Sequence, residues 1–262
     1  MKVSHECPLV LLEDSRTFND YDYALVHLFS EIPEYYNFFV ESLKQGREVI
    51  LDNSVFELGE SYNTDMFVEW IKKLQPTYYI IPDVLDDTKS TIENLKRFVE
   101  SYPILPGKRI GVIQGKTYDE MCYCYKEIEP LVDKVAIPFD SKSYFDMLSQ
   151  ETFESNWHLW CSGRQTLLKR MLEDGVINTS KPHHLLGIAL PQEIKQYKDY
   201  DWIDSIDTSN PIVHGLHKVY YIDGVLDFKI STKLVDLIHC NIDIEQLKAI
   251  THNLSIFKNN LK

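Results

Sequence analysis

The chain lacks the features that mark membrane-bound, secreted and metal-stabilised proteins. No apolar run approaches the ~20 residues of a membrane-spanning helix, and residues 1–7 have no signal-peptide core. We therefore expect a cytoplasmic protein with no membrane partner. The five cysteines are odd in number and scattered, which does not fit a disulfide framework. Cys122 and Cys124 have no second pair to complete a zinc site, so we expect free thiols and no bound metal.

Phosphate-binding glycine motifs and excess positive charge are also missing. Neither a G-x-G-x-x-G turn nor a P-loop follows any apolar run, so we expect no nucleotide cofactor. The 27 Lys and Arg residues are outnumbered by 40 Asp and Glu residues, giving a net charge of −13. This argues against tight nonspecific nucleic-acid binding, which depends on neutralising phosphates, although a local basic groove remains compatible with it. With no linker, repeat or low-complexity segment, we expect one domain over residues 1–262.

What is present is a regular alternation of apolar runs with segments of helical period. The runs of strand length are 8–12, 23–29, 48–52, 78–83, 109–114, 134–140, 184–190 and 202–207. They are continuously apolar, as expected of parallel strands covered on both faces. The segments of helical period are 64–74, 88–102, 118–131 and 165–174, with a short helix from Pro191.

This order predicts an α/β fold of the (β/α)8 TIM-barrel type, with an open doubly wound sheet as the alternative. The barrel core is predicted at about residues 8–215. The tail, 219–262, is predicted to form a hairpin over 219–230 around Asp223-Gly224, followed by terminal helices.

Polar side chains stand where the predicted strands end. They are Asp52, Asn53, Asp83, Gln114, Asp140 and Asp207. In a barrel these ends meet at one rim, where catalytic residues are found. Several carboxylates at one rim raise the pKa of some of them by mutual repulsion, which marks a candidate functional site. We also expect Asp204 to support Asp207 from the same face of its strand.

The histidines do not suggest a metal centre. His183, His184, His214 and His217 follow no standard ligand spacing. We expect them to be surface or phosphate-contacting residues.

From about residue 49 to residue 211, the order of motifs resembles the tRNA-guanine transglycosylases. Residues 52–57 are similar to the family's Asp-Ser-Gly-Gly followed by an aromatic residue and Gln, and Asp83 is similar to the Asp that ends its fourth strand. Residues 111–115 are similar to its Gly-Ile-Val-Gln-Gly, and residues 186–192 to its Met-Gly-Val-Gly-Thr-Pro-Glu. Residues 203–211 are similar to its Ile-Asp-x-Phe-Asp-x-x-x-Pro.

The resemblance implies base exchange at a glycosidic bond. Asp207 matches the family nucleophile, which attacks the ribose C1′, and Asp52 matches the general acid/base. The chemistry would parallel that of a retaining glycosidase, with two carboxyl groups and two displacements. The remaining site residues are assigned to substrate binding: Asp83 and Gln114 on the purine edge, Phe56 stacked on the base, Gly187 allowing close backbone approach, and Asn53 and Asp140 as further pocket residues.

Three departures from the family pattern bear on the substrate. The family's glycine-rich sixth strand is replaced by 136–140, its C-terminal zinc motif is absent, and 214–218 replaces its Arg-rich run. In these respects the chain is similar to short, zinc-free phage enzymes that place 7-deazaguanines in DNA. We therefore expect a pentosyltransferase with DNA, rather than tRNA, and a purine or 7-deazaguanine base as partners. The alternatives are an N-glycoside hydrolase acting on a free nucleoside and a catalytically silent barrel that binds a nucleobase or nucleic acid.

Overall fold

The computed structural model describes residues 1–261 and confirms the predicted α/β barrel. Eight parallel strands form one sheet in the order β1-β8-β7-β6-β5-β4-β3-β2. The strands are β1 (Lys2–Ser4), β2 (Asp22–Leu25), β3 (Val49–Asp52), β4 (Tyr78–Ile80), β5 (Lys108–Val112), β6 (Lys134–Ile137), β7 (His183–Leu185) and β8 (Ile203–Asp207). Because all of them run in one direction, the residues that follow their carboxyl ends face one rim of the barrel.

Helices connect the strands and cover the outside of the sheet. They are α1 (Leu12–Ser15), α2 (Leu28–Glu31), α3 (Pro33–Lys44), α4 (Val55–Leu58), α5 (Thr64–Leu74), α6 (Thr88–Ser101), α7 (Tyr118–Ile128), α8 (Lys142–Met147), α9 (Asn156–Glu173), α10 (Asn210–Leu216) and α11 (Ile244–Asn260). Short 3-10 helices lie at Leu9–Leu11, Glu129–Leu131, Pro191–Tyr197 and Leu234–Leu237. Within residues 1–261, no helix is both long and apolar enough to cross a membrane.

The seam between β1 and β2 is closed by side chains rather than by a ladder. Asn19 accepts from the His5 N–H at 2.7 Å and donates to the His5 carbonyl at 2.9 Å. Asp20 accepts from the Val3 N–H through its carboxylate and donates its own N–H to the Val3 carbonyl, both at 2.9 Å. These bonds satisfy the backbone groups that strand pairing would otherwise satisfy.

The prediction of the first strand at residues 8–12 is wrong. That run forms the 3-10 helix Leu9–Leu11 and the start of α1, with Leu11 and Leu12 buried and Val10 exposed. A short apolar run does not distinguish a strand from one buried helical turn. The true first strand is only three residues long, and the barrel therefore begins at Lys2 rather than near residue 8.

The hairpin predicted over 219–230 is also wrong, apart from its turn. Asp223 and Gly224 have φ values of 52° and 76°, as in the tight turns that join strands. Only one isolated bridge, between Ile222 and Val225, flanks them in the described part of the chain. Residues 229–234, which follow the turn, line the cavity described below.

The predicted terminal helix is confirmed as α11. It begins at a capping box in which Asp243 and Gln246 satisfy each other's backbone N–H groups. It packs closely on α10, because a Cβ on Gly215 would lie 2.4 Å from the Ile250 side chain. This contact fixes the chain immediately after the last barrel strand.

Candidate active site

A cavity of about 260 Å³ lies at the carboxyl ends of the strands. Its size is near the lower end of small-molecule sites, which span roughly 300–1,000 Å³. One wall carries acidic and amide groups, namely Glu6, Asp52, Glu57, Asp83, Gln114 and Asp207. A second wall is aromatic, with Phe56, Phe139, Trp157 and Trp160. Residues 229–234 of the tail complete the lining.

Asp207 is the last residue of β8 and is only 5 % exposed. Its Oδ1 accepts from His184 Nε2 at 2.9 Å and from the Gly187 N–H at 3.3 Å. The donors come from β7 and from the loop that follows it. They hold the carboxylate in one orientation and balance part of its charge without a full counter-ion.

The protonation of His184 follows from its two partners. A carboxylate can only accept, so Nε2 carries the proton that bonds to Asp207 and Nδ1 of the neutral ring is an acceptor. Nδ1 lies 2.9 Å from Ser205 Oγ, which donates its hydrogen to Nδ1 and accepts from Lys134 Nζ at 3.2 Å. Burial lowers the pKa of His184 despite the opposing effect of Asp207, which keeps the ring neutral. All the hydrogen bonds of this series are therefore directed toward Asp207.

The expectation that Asp204 supports the nucleophile from the same strand face is wrong. Asp204 and Asp207 are three residues apart, so the alternation of side chains along a strand puts them on opposite faces of β8, whereas Ser205 shares the face of Asp207. Asp204 points elsewhere and pairs with Lys134 at 2.6 Å. Burial alone would raise its pKa, but the hydrogen bond and charge of Lys134 lower it. Asp204 is therefore linked to the site through Lys134, which also donates to Ser205.

The expectation of surface histidines is wrong for three of the four. His183, His184 and His214 are buried, whereas His217 is exposed. His183 faces away from His184 and bonds to the Tyr125 hydroxyl at 3.0 Å, and burial lowers its pKa to about 4. No group of three or more His, Cys, Asp or Glu residues within 1–261 is arranged to hold a metal ion.

Asp52 ends β3 and is also buried. Its Oδ2 accepts from the Ser54 N–H at 2.8 Å, in a turn where Ser54 has a φ of 61°. Burial and the nearby charges of Glu57 and Asp207 raise the pKa of Asp52 well above its usual value. The shift favours the protonated form of the carboxyl group, which can donate a proton.

Two further carboxyl groups line the same wall and were not predicted as site residues. Glu6 follows β1, and burial beside Asp207 raises its pKa well above the usual value. Burial and the charge of Asp207 raise the pKa of Glu57 to about 7. Glu6 escaped prediction because the first strand was placed too late in the chain. Glu57 belongs to a quoted motif, but nothing in the sequence assigned it a role.

Asp83 is held by two amides. Its Oδ1 accepts from Asn53 Nδ2 at 2.8 Å, and its Oδ2 accepts from Gln114 Nε2 at 2.7 Å. Gln114 Oε1 in turn accepts from the Asp86 N–H at 3.0 Å, which fixes the orientation of the amide. Burial raises the pKa of Asp83, against the lowering effect of both amides. Asn53 is fully buried and does not line the cavity, so it orients Asp83 rather than contacting a ligand.

Gly187 combines a left-handed backbone with a close contact. Its φ is +57°, and a Cβ there would lie 2.9 Å from the Phe139 ring. Arg164 fixes this turn by donating to the carbonyls of Leu186 and Gly187 at 2.9 Å and 3.0 Å. Arg164 is itself buried against Glu193 at 2.7 Å. This ion pair escaped prediction because no local pattern in the sequence pairs a residue of α9 with one of the 3-10 helix Pro191–Tyr197.

Phe56 and Asp140 line the cavity as predicted. Phe56 is 43 % exposed and meets Phe139 edge to face at 5.4 Å. Lys233 fixes this part of the wall by donating to the Phe56 and Glu57 carbonyls. Asp140 follows β6, where burial raises its pKa and Lys229 lowers it.

Comparisons with known proteins add no family to this picture. No protein-family model matches the chain, and no curated protein matches it.

Proposed function

We propose that the protein is a base-exchanging pentosyltransferase that replaces guanine in nucleic acid, DNA rather than tRNA, with a 7-deazaguanine. One observation carries the proposal: Asp207, oriented by His184 and Gly187, shares a cavity with Asp52, whose pKa is raised. A carboxyl group that favours its protonated form can act as the acid beside a carboxylate nucleophile.

In the first displacement, the Asp207 carboxylate attacks C1′ of the target nucleotide. The C1′–N bond breaks, its electron pair leaves with guanine, and Asp52 gives its proton to the departing base. Asp207 is then a glycosyl ester and Asp52 a carboxylate. The neutral His184 keeps its hydrogen bond to Asp207 Oδ1 during this step, which leaves the other oxygen as the nucleophile.

In the second displacement, the incoming base gives its ring N–H proton to Asp52. The resulting nitrogen electron pair attacks C1′ and breaks the ester bond, which restores the Asp207 carboxylate. Two inversions at C1′ give net retention. Water in place of the incoming base would turn the same intermediate into a hydrolysis product.

The Asp83–Gln114 pair supports guanine as the base. Each Asp83 oxygen accepts one amide N–H and keeps a lone pair for a ligand. A carboxylate in this state can accept the two adjacent N–H groups of guanine's Watson–Crick edge. Phe56 lies on the same cavity and offers a ring for stacking, which contributes roughly 1–3 kcal/mol per base.

The test is incorporation of labelled guanine or a 7-deazaguanine into DNA, into tRNA and into free guanosine. We expect exchange into DNA, loss of exchange in Asp207→Asn and Asp52→Asn, and a covalent adduct detected by mass spectrometry only where Asp207 is intact. Base release without incorporation would instead indicate a hydrolase. Base binding without turnover, unchanged by Asp207→Asn, would indicate a silent binding barrel.

A further inference from the structure

The aromatic wall of the cavity holds an ammonium group that contacts aromatic rings but has no hydrogen-bond or salt-bridge partner among the described residues. Lys229 Nζ lies 4.1 Å from the centre of the Phe139 ring and 5.8 Å from that of Trp157. Within residues 1–261 it forms neither a hydrogen bond nor a salt bridge, although the side chain is partly buried and lines the cavity.

The other buried cations of this chain are paired. Arg164 bonds Glu193 at 2.7 Å, and Lys134 bonds Asp204 at 2.6 Å. Lys229 has only the longer-range attraction of Asp140 and Glu6, and burial lowers its pKa to about 8. Because an ammonium group withdrawn from water is costly without a partner, an anion bound beside Lys229 would relieve this cost.

A second unused donor lies on the same wall. Trp160 Nε1 is buried with no hydrogen-bond partner among the described residues. The Trp160 ring meets Phe139 edge to face at 5.7 Å, so Trp160 and Lys229 both contact the Phe139 ring. Lys229 and Trp160 add donors to a cavity whose other charged side chains are mainly carboxyl groups. A ligand that fills the cavity would therefore present hydrogen-bond donors to the carboxyl groups and an anion to Lys229 and Trp160.

We propose that Lys229 and Trp160 form a phosphate subsite that binds a phosphate of the nucleotide whose base is exchanged. The inference rests on the proposed function and deepens it, because it makes the substrate a nucleotide, free or within a strand, rather than a nucleoside. Cations interleaved with aromatic rings are how proteins hold single-stranded nucleic acid. Phe139 and Trp157 supply such rings beside Lys229.

Binding to the full chain in an Asp207→Asn background tests the subsite without requiring turnover. The ligands are guanosine, 5′-dGMP and a short single-stranded DNA with one guanine, and the binding of each is measured by tryptophan fluorescence. We expect Lys229→Met to lower the ratio of nucleotide affinity to guanosine affinity at least tenfold. For the DNA, the slope of log K against log salt should fall by about 0.7, the contribution of one phosphate contact in a single strand. Trp160→Phe should lower the same ratio by a smaller factor.

Lys169→Met is the matched control, because it removes one positive charge from an exposed helical position. Lys229→Arg keeps the charge and should retain most of the nucleotide preference. Loss of affinity for both 5′-dGMP and DNA indicates that a single nucleotide's phosphate occupies the subsite, and loss for DNA alone indicates a neighbouring strand phosphate. An unchanged ratio relative to Lys169→Met would overturn the subsite. A lowered ratio without base exchange on any substrate would leave the subsite standing and remove the proposed reaction.

Discussion

His184 Nε2 lies 2.9 Å from Asp207 Oδ1, and the ring that makes this bond is held neutral. A charged imidazolium would form a tight ion pair and reduce the nucleophilicity of the carboxylate. A neutral donor orients Asp207 while leaving most of its charge for attack. Lys134 supplies the positive charge one step further away, through Ser205.

Replacing His184 should therefore slow the formation of the glycosyl intermediate more than it weakens base binding. A hydrogen bond to a charged group contributes about 1.5–3 kcal/mol, so His184→Phe should lower the single-turnover rate roughly 10- to 100-fold. His184→Gln, which keeps a donor, should recover part of the rate. The measurement is rapid-quench formation of the adduct. If both variants lost the same fraction of the single-turnover rate, and base affinity fell by the same factor, His184 would matter only for folding.

The buried Arg164–Glu193 pair should control both stability and the turn at Gly187. Both side chains are at most 1 % exposed, so Arg164→Met leaves a buried carboxylate without its partner. Breaking one side of such a pair costs about 3–5 kcal/mol in unfolding free energy, measured by urea denaturation.

The double variant Arg164→Met/Glu193→Leu is the control for the unpaired Glu193 carboxylate, because it removes that carboxylate as well. It should recover much of the stability but not the exchange activity, because the carbonyls of Leu186 and Gly187 remain without their donor. Full recovery of activity in the double variant would show that Arg164 does not position the turn.

The acidic wall should make the protein less stable as pH rises. The pKa of Glu57 is about 7 in the folded chain, against an ordinary value of 4.5. A raised folded pKa gives stability that is fully present below pH 4.5 and is lost as pH rises toward 7. Glu57→Gln removes this titration, so the variant should match the parent at pH 4 and exceed it at pH 8 by about 1–3 kcal/mol in urea unfolding. A constant difference across this range would contradict the assignment.

Much of the barrel was predictable because its strands are long apolar runs closed by polar residues. The start of β6 and the end of β8 coincide with the bounds of such runs, and α5 has the predicted bounds. The first strand was missed because three residues carry no periodic signal and their ladder partners lie on β8, near the opposite end of the barrel sequence. Because the first strand was misplaced, Glu6 was not predicted as a site residue.

The strand-end residues of the site were predictable, but their supporting partners were not. Asp52, Asp83, Gln114 and Asp207 come together as the barrel order requires. His184 was expected to be a surface or phosphate-contacting residue because the histidine spacing matches no standard ligand set. Both faces of a barrel strand are covered, so the adjacent His183 and His184 are buried on opposite faces of β7. Lys229 follows a turn in the tail, and no local pattern places it against Phe139.

Gly187 offers a test of how tightly the aromatic wall is packed, with Gly175 as its matched control. Both glycines have left-handed backbones, at φ +57° and +66°, so alanine costs each about 1–2 kcal/mol of backbone strain. A Cβ at 187 would also lie 2.9 Å from Phe139, whereas a Cβ at 175 would meet nothing within 4 Å. Gly187→Ala should therefore destabilise the protein more than Gly175→Ala in urea unfolding, and only Gly187→Ala should weaken base binding.

Phe139→Leu in the Gly187→Ala background should recover the extra stability that Gly187→Ala loses relative to Gly175→Ala. The reason is that leucine is smaller than the Phe139 ring that the new methyl group contacts. Equal losses of stability in the two alanine variants would mean that the wall moves aside at no cost, and that Phe139 does not fix the shape of the cavity.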